Sequence, residues 1–167
     1  MQEDGTTIRA IPTEEYFARV RRQLSEEGYA YVRVTGVSMQ PLLRHLRDGV
    51  VLIPPELIKR GDIVLFDRKN GRYALHRVIR KGKNGFMMAG DNQWHYETNL
   101  SYDQIVGVAS EIVRGEKRIP CSNFFLKCWT FLVTQLTLPR IYIWKAFVRV
   151  GKLVRHSENS GRKGAEE

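Results

Sequence analysis

Cysteine is scarce: Cys121 and Cys128 are the only two in 167 residues. Two thiols seven positions apart make neither a disulfide framework nor a zinc-site spacing. The fold must therefore rest on its own core, and free thiols fit a reducing compartment. Long apolar runs are missing too. Crossing a bilayer takes roughly 18–20 apolar residues. The nearest stretch, 128-CWTFLVTQLTL-138, is shorter, carries Gln135, and is bounded by Lys127 and by Pro139-Arg140. The N-terminus, MQEDGTTIRAIPTEEYFARV, has acids and no apolar centre, which is not the pattern of a secretory leader. A cytoplasmic protein is the expectation. No cluster of ligating side chains has metal-site spacing, so neither a metal nor an organic cofactor is expected. Internal repeats and low-complexity segments are absent as well.

What is present is an ordinary globular composition, 43% apolar, on a chain long enough to bury a core. The net charge is +9, and it is unevenly placed. From Arg114 onward there are eleven Lys/Arg against four Glu; the preceding residues hold sixteen against fourteen. A basic C-terminal third can meet water, anionic lipid or nucleic acid.

Periodicity divides the chain. Thr13 is placed to cap a helix, with Glu14 and Glu15 near the positive end of its dipole. Tyr16, Phe17, Val20 and Leu24 then recur at helical spacing, and Gly28 ends the run. From residue 29 the pattern is that of strands: 29-YAYVRV-34, 49-GVVLIP-54, 62-DIVLFD-67, 72-RYALHRVI-79, 85-GFMMA-89 and 104-QIVGVASEIV-113. Gly61-Asp62, Asn70-Gly71, Gly82 and Asn84-Gly85 punctuate them, and Asn70-Gly71 suggests a hairpin. The class is mainly β, a barrel or sandwich. Helical spacing returns at 122–136, with Ser122 as a candidate cap, and again after Pro139 at 140–154. Ile141, Trp144, Phe147 and Val148 fall on one side of the latter, with basic residues mostly elsewhere. Such a segment lies in a membrane interface, or it packs on the sheet or on a second copy. The expected organisation is an amphipathic helix over 1–28, a β-rich domain over 29–118, a helical appendage over 119–156 and a disordered tail over 157–167.

Three short motifs bear on chemistry. Ser38 sits in 36-GVSMQP-41, a turn or a nucleophile at the rim of a cleft. A serine nucleophile needs a base, an orienter for that base, and oxyanion donors. Of the four histidines, His76 lies within the apolar run 74-ALHRVI-79, where a strand would give it a defined orientation. The bland alternative is a structural histidine. Asp91, in 90-GDN-92, is fifteen residues further on, about one hairpin, and by itself is a turn residue.

Taken in order, G-x-S-M-x-P, G-D-I-V-L-F, H-R-V-I, G-D-N and I-V-G-V resemble the signal peptidase I superfamily, which includes the LexA-type self-cleaving repressors. The resemblance covers about residues 33–112. It implies a coiled β-barrel and a serine peptidase. Bacterial-type members and LexA-like proteins carry a lysine at the base position. The histidine of this chain is similar to the branch found in the endoplasmic reticulum, archaea and some sporulating bacteria. Carried over, Ser38 is the nucleophile, His76 the general base and Asp91 the acid that holds the imidazole. The Ser38 N–H becomes an oxyanion donor, and Gly36 and Met39 flank the substrate, with Met39 beneath the nucleophile or lining the pocket. Asp62 is structural in this reading.

Three features depart from the pattern. Gly36 stands where signal peptidases carry a serine, as in the LexA-like proteins. Glu97 and Asp103 are the nearest acids beyond G-D-N, and Glu97 could substitute for Asp91. A polar helix stands where typical members have a transmembrane anchor. The expected activity is cleavage of a leader or precursor peptide, bound as an added strand. The expected place is the cytoplasm, with peripheral contact to the inner membrane face through 122–154. The alternatives are a non-catalytic barrel that binds peptide or membrane, and a LexA-like regulator. Nucleic acid is not the expected partner, because residues 1–28 hold one convincing helix, too little for a helix-turn-helix reader.

Overall fold

The computed structural model describes residues 12–69, 71–83 and 85–163, with side chains through residue 149 except at 144, 145, 147 and 148. The turn residues Asn70 and Asn84, the first eleven residues and the last four lie outside the described residues.

Helix α1 spans Thr13–Glu27. It buries Val20 and Leu24 on one face and ends at Gly28, whose left-handed backbone (φ 77°) lets its N–H reach the Leu24 carbonyl. Thr13 does not cap it. Pro12, with its φ already near −60°, takes the N-cap position, and no side chain closes that end. The expected cap at Ser122 is likewise displaced: Asn123 Oδ1 accepts the Phe125 N–H at 2.9 Å, and the second helix starts at Phe124.

Eight strands follow α1: β1 (Ala30–Arg33), β2 (Asp48–Ile53), β3 (Ile63–Asp67), β4 (Tyr73–Gly82), β5 (Gly85–Ala89), β6 (Glu97–Leu100), β7 (Ile105–Arg114) and β8 (Lys117–Pro120). They form one antiparallel sheet in the order β1-β2-β7-β3-β4-β5-β6, with β8 on β7. The architecture is the expected mainly-β one, with a helix at each end. Register shifts in the β2/β7, β3/β7, β4/β5 and β5/β6 pairs bend the sheet. Two apolar clusters fill it. One joins Val20 and Leu24 of α1 to Val50, Leu52, Val106 and Ile112. The other gathers Val64, Phe66, Val78, Phe86 and Met88.

The C-terminal third is one helix, α2 (Phe124–Lys163), rather than two. Pro139 sits inside it and is exposed. Proline removes one ladder hydrogen bond and costs about 3 kcal/mol in a helix interior. Anchors on either side offset this: Thr134, Thr137 and Ile141 are buried, and Arg140 bonds to the barrel. The backbone stays helical through 157–163, where the sequence suggests a disordered tail.

A buried ion pair fastens α2 to the sheet. Arg77 of β4 donates from Nε to Asp91 Oδ1 and from its second terminal nitrogen to Asp91 Oδ2, both at 2.8 Å. The two side chains are 1% and 0% exposed. The remaining terminal nitrogen reaches the Gly61 carbonyl and the Thr130 hydroxyl of α2, and Trp129 Nε1 donates to Asp91 Oδ2 at 3.0 Å. Removing one partner leaves an uncompensated buried charge. Arg77→Ala or Asp91→Ala is expected to cost about 3–5 kcal/mol in urea denaturation. A loss below about 1 kcal/mol would show the pair to be dispensable.

Candidate active site

Ser38 lies in the connection from β1 to β2, half-buried, between a left-handed Gly36 (φ 98°) and a helical turn in which the Leu43 N–H bonds to the Met39 carbonyl. Three contacts hold this connection. The Gly36 N–H donates to His45 Nδ1 at 2.8 Å. Arg114 of β7 donates to the Leu42 carbonyl at 2.8 Å. Asp48, fully buried at the start of β2, accepts from the Arg44 N–H and from the Arg47 and Arg114 guanidiniums. Burial alone would raise the Asp48 carboxyl, but those donors hold it down at about 2.

The segment 90-GDNQ-93 clamps the serine from the other side. The Asn92 N–H donates to the Ser38 carbonyl at 2.8 Å. Gly90 packs so closely that a Cβ there would stand 2.5 Å from the Ser38 carbonyl oxygen and 2.9 Å from its Cβ. The glycine of G-D-N is therefore required by its approach to the Ser38 backbone.

His76 sits in the middle of β4, 1% exposed, with the Phe66 ring 5.6 Å away. Ser38 and His76 line one cavity of about 820 Å³. Tyr16 and Phe17 of α1, Gly36 and Met39 also line it. Met39 is 2% exposed and belongs to the first apolar cluster, so it supports the serine from within the core.

Asp91 does not meet His76. Both of its carboxylate oxygens are taken by Arg77 and Trp129. The acid beside the histidine is Glu97, with Oε1 3.2 Å from His76 Nδ1. That contact lies off the N–H axis and is not a completed hydrogen bond. Catalytic contacts are often loose in unliganded sites and tighten in the Michaelis complex.

Strand register accounts for the exchange. Arg77 pairs with Ala89, so Asp91, two residues beyond, continues on the Arg77 side. Val78, which shares its face with His76, pairs with Met88, and Met88 pairs with Glu97. A shift of one residue changes the face of every side chain. Arg68 completes the group, donating from Nε to Glu97 Oε2 at 2.9 Å. Asp103, the other acid near this point in sequence, instead pairs with Lys69 at 2.9 Å.

Sequence reasoning gave no functional part to Arg77, Arg68, Trp129 or Arg140. The alternation along 74-ALHRVI-79 already sets Arg77 and His76 on opposite faces. It could have shown that a single acid does not serve both.

Among the described residues no group of His, Cys, Asp and Glu could hold a metal ion. A half-buried serine and a buried histidine thus line one cavity in a bent antiparallel sheet. The family model described as Peptidase S24-like matches residues 3–110, and the chain belongs to that family. Comparison with curated proteins gave no match.

Burial tends to raise the Glu97 carboxyl, but the His76 ring and the Arg68 guanidinium outweigh it and hold the value at about 2, below its ordinary 4.5. A depressed carboxylate contributes stability above its ordinary value and loses it as pH falls through the folded value. The stability gap between wild type and Glu97→Gln should be full near neutral pH. It should shrink between pH 4.5 and about 2. Thermal midpoints across that range check this, and a gap independent of pH would contradict the assigned contacts.

Proposed function

We propose that the protein is a serine endopeptidase of the histidine-base, signal-peptidase-like branch, which cleaves a leader or precursor peptide. The observation that carries this reading is the His76–Glu97 contact beside the cavity that Ser38 lines. A histidine with an acid at Nδ1 has its Nε2 available to take a proton.

In the proposed reaction the Ser38 Oγ attacks the scissile carbonyl carbon while His76 Nε2 takes its proton. The Ser38 N–H donates to the oxyanion. The imidazolium returns the proton to the leaving amine, and an acyl-enzyme remains. Water, deprotonated by His76, then releases the acid product. Glu97 replaces Asp91 in the orienting role. It favours the Nδ1–H tautomer and stabilises the imidazolium, while Arg68 keeps the carboxylate ionised. Asp91 acts as scaffold, holding the loop that bonds the serine's carbonyl. The aromatic wall from Tyr16 and Phe17 makes the cavity suited to an apolar side chain near the cut.

The test is cleavage of an extended peptide library read by mass spectrometry. Wild type should cleave, Ser38→Ala and His76→Ala should not, and Glu97→Gln should fall by about 10²–10⁴-fold in kcat with its fold intact. Asp91→Asn should lose stability more than it loses chemistry. Equal cleavage by wild type and Ser38→Ala would remove the serine from the mechanism. Activity lost in Asp91→Asn but kept in Glu97→Gln would reverse the two acids.

A further inference from the structure

The two helices present opposite surfaces to solvent. On α1 the outward residues are charged and paired along the helix, Glu15 with Arg19 and Arg22 with Glu26. That is the pattern of a water-facing helix. On α2 the outward residues are largely apolar, interrupted by Lys127 and Gln135. Phe125 is 79% exposed and Ile143 70%, and between them lie exposed Phe131, Leu132 and Leu136. The spacing 125, 132, 136, 143 keeps these positions on one side, within an arc of about 140° once Phe131 and Tyr142 are included. The opposite side is the docked one, where Val133, Thr134, Thr137 and Ile141 are buried. The outer stripe thus runs about 27 Å along the helix, at 1.5 Å per residue.

We infer that this outer face of α2 rests in the interface of an anionic membrane. Charge decides the occupant. The helix carries eight Lys/Arg against one Glu, seven of the eight from Arg140 onward. An exposed apolar stripe on a strongly cationic helix complements lipid tails and anionic headgroups together. A second copy would bring two such helices together, like charge against like. No helix among the described residues is long and apolar enough to cross a membrane, so the helix lies along the surface.

The seat also adjoins the active site. Arg140 donates to the Asp91 and Gln93 carbonyls at 2.8 and 2.7 Å, and its guanidinium stands 5.2 Å from the half-exposed Trp94 ring. The Asn92 N–H between those carbonyls is the one that holds Ser38. Docking α2 on lipid would hold the Ser38 loop across the helix from the membrane, about 10 Å from its surface. The binding claim stands without the peptidase reading, and its test uses no substrate.

The full chain would be sedimented with phosphatidylcholine vesicles containing roughly 30% phosphatidylglycerol, and with phosphatidylcholine alone. The comparison variant is Phe125→Glu/Leu136→Glu/Ile143→Glu, at three exposed positions, with circular dichroism as the check on its fold. Wild type should bind the anionic vesicles. Binding should weaken at least about tenfold in the variant and between about 0.05 and about 0.5 M salt. If the triple variant does not fold, Phe125→Glu alone and the salt series carry the comparison. Absence of wild-type binding, or equal binding by folded variant and wild type, would overturn the inference. So would a lipid-free dimer, seen by light scattering, that the same substitutions dissolve.

Discussion

The Arg77–Asp91 ion pair is the constraint on which the rest of the structure depends. It joins four pieces of chain at one buried point: the middle of β4, the turn at Gly61, the loop after β5, and the first turns of α2. Arg77 is the immediate neighbour of His76, and Asp91 the immediate neighbour of Asn92. The same pair therefore positions the strand that carries the histidine and the loop that grips the serine's carbonyl. A point charge in a solvent-filled cleft would be too soft for this task. A bidentate guanidinium–carboxylate pair, with its remaining donors satisfied, fixes both distance and angle.

This division of labour separates two acids that sequence spacing brings close. One, Asp91, is fully buried and neutralised by a guanidinium and an indole N–H. The other, Glu97, is partly accessible and shared between Arg68 and the His76 ring. The first arrangement serves rigidity. The second sets a carboxylate, gripped at both oxygens by Arg68, beside the imidazole. Both use burial, but of the two only Glu97 contacts His76.

Much of this was legible in the sequence, for identifiable reasons. Six of the eight strands stand out by β-branched and apolar alternation, and α1 by the spacing of Tyr16, Phe17, Val20 and Leu24. The two strands that were missed, β6 (ETNL) and β8 (KRIP), are short and largely polar, and both lie at a sheet edge. Edge strands have no second neighbour and need no apolar alternation. The omission of β6 has a chemical consequence, because Glu97 is its first residue. Without that strand, Asp91 was the natural partner for His76. The single helix through Pro139 was hidden for a similar reason: tertiary anchors at Thr134, Arg140 and Ile141 override a local breaker, and they belong to the docked pair of surfaces.

The central claim is that Glu97, not Asp91, orients His76 toward Ser38. Nitrogen-15 NMR of the His76 imidazole tests it most directly, because the two ring nitrogens report the tautomer without any substrate. For the neutral ring the account predicts a proton on Nδ1 and an unprotonated Nε2 in wild type. That preference should persist in folded Asp91→Asn and be lost in Glu97→Gln. A tautomer that changes with Asp91→Asn and ignores Glu97→Gln would contradict the account.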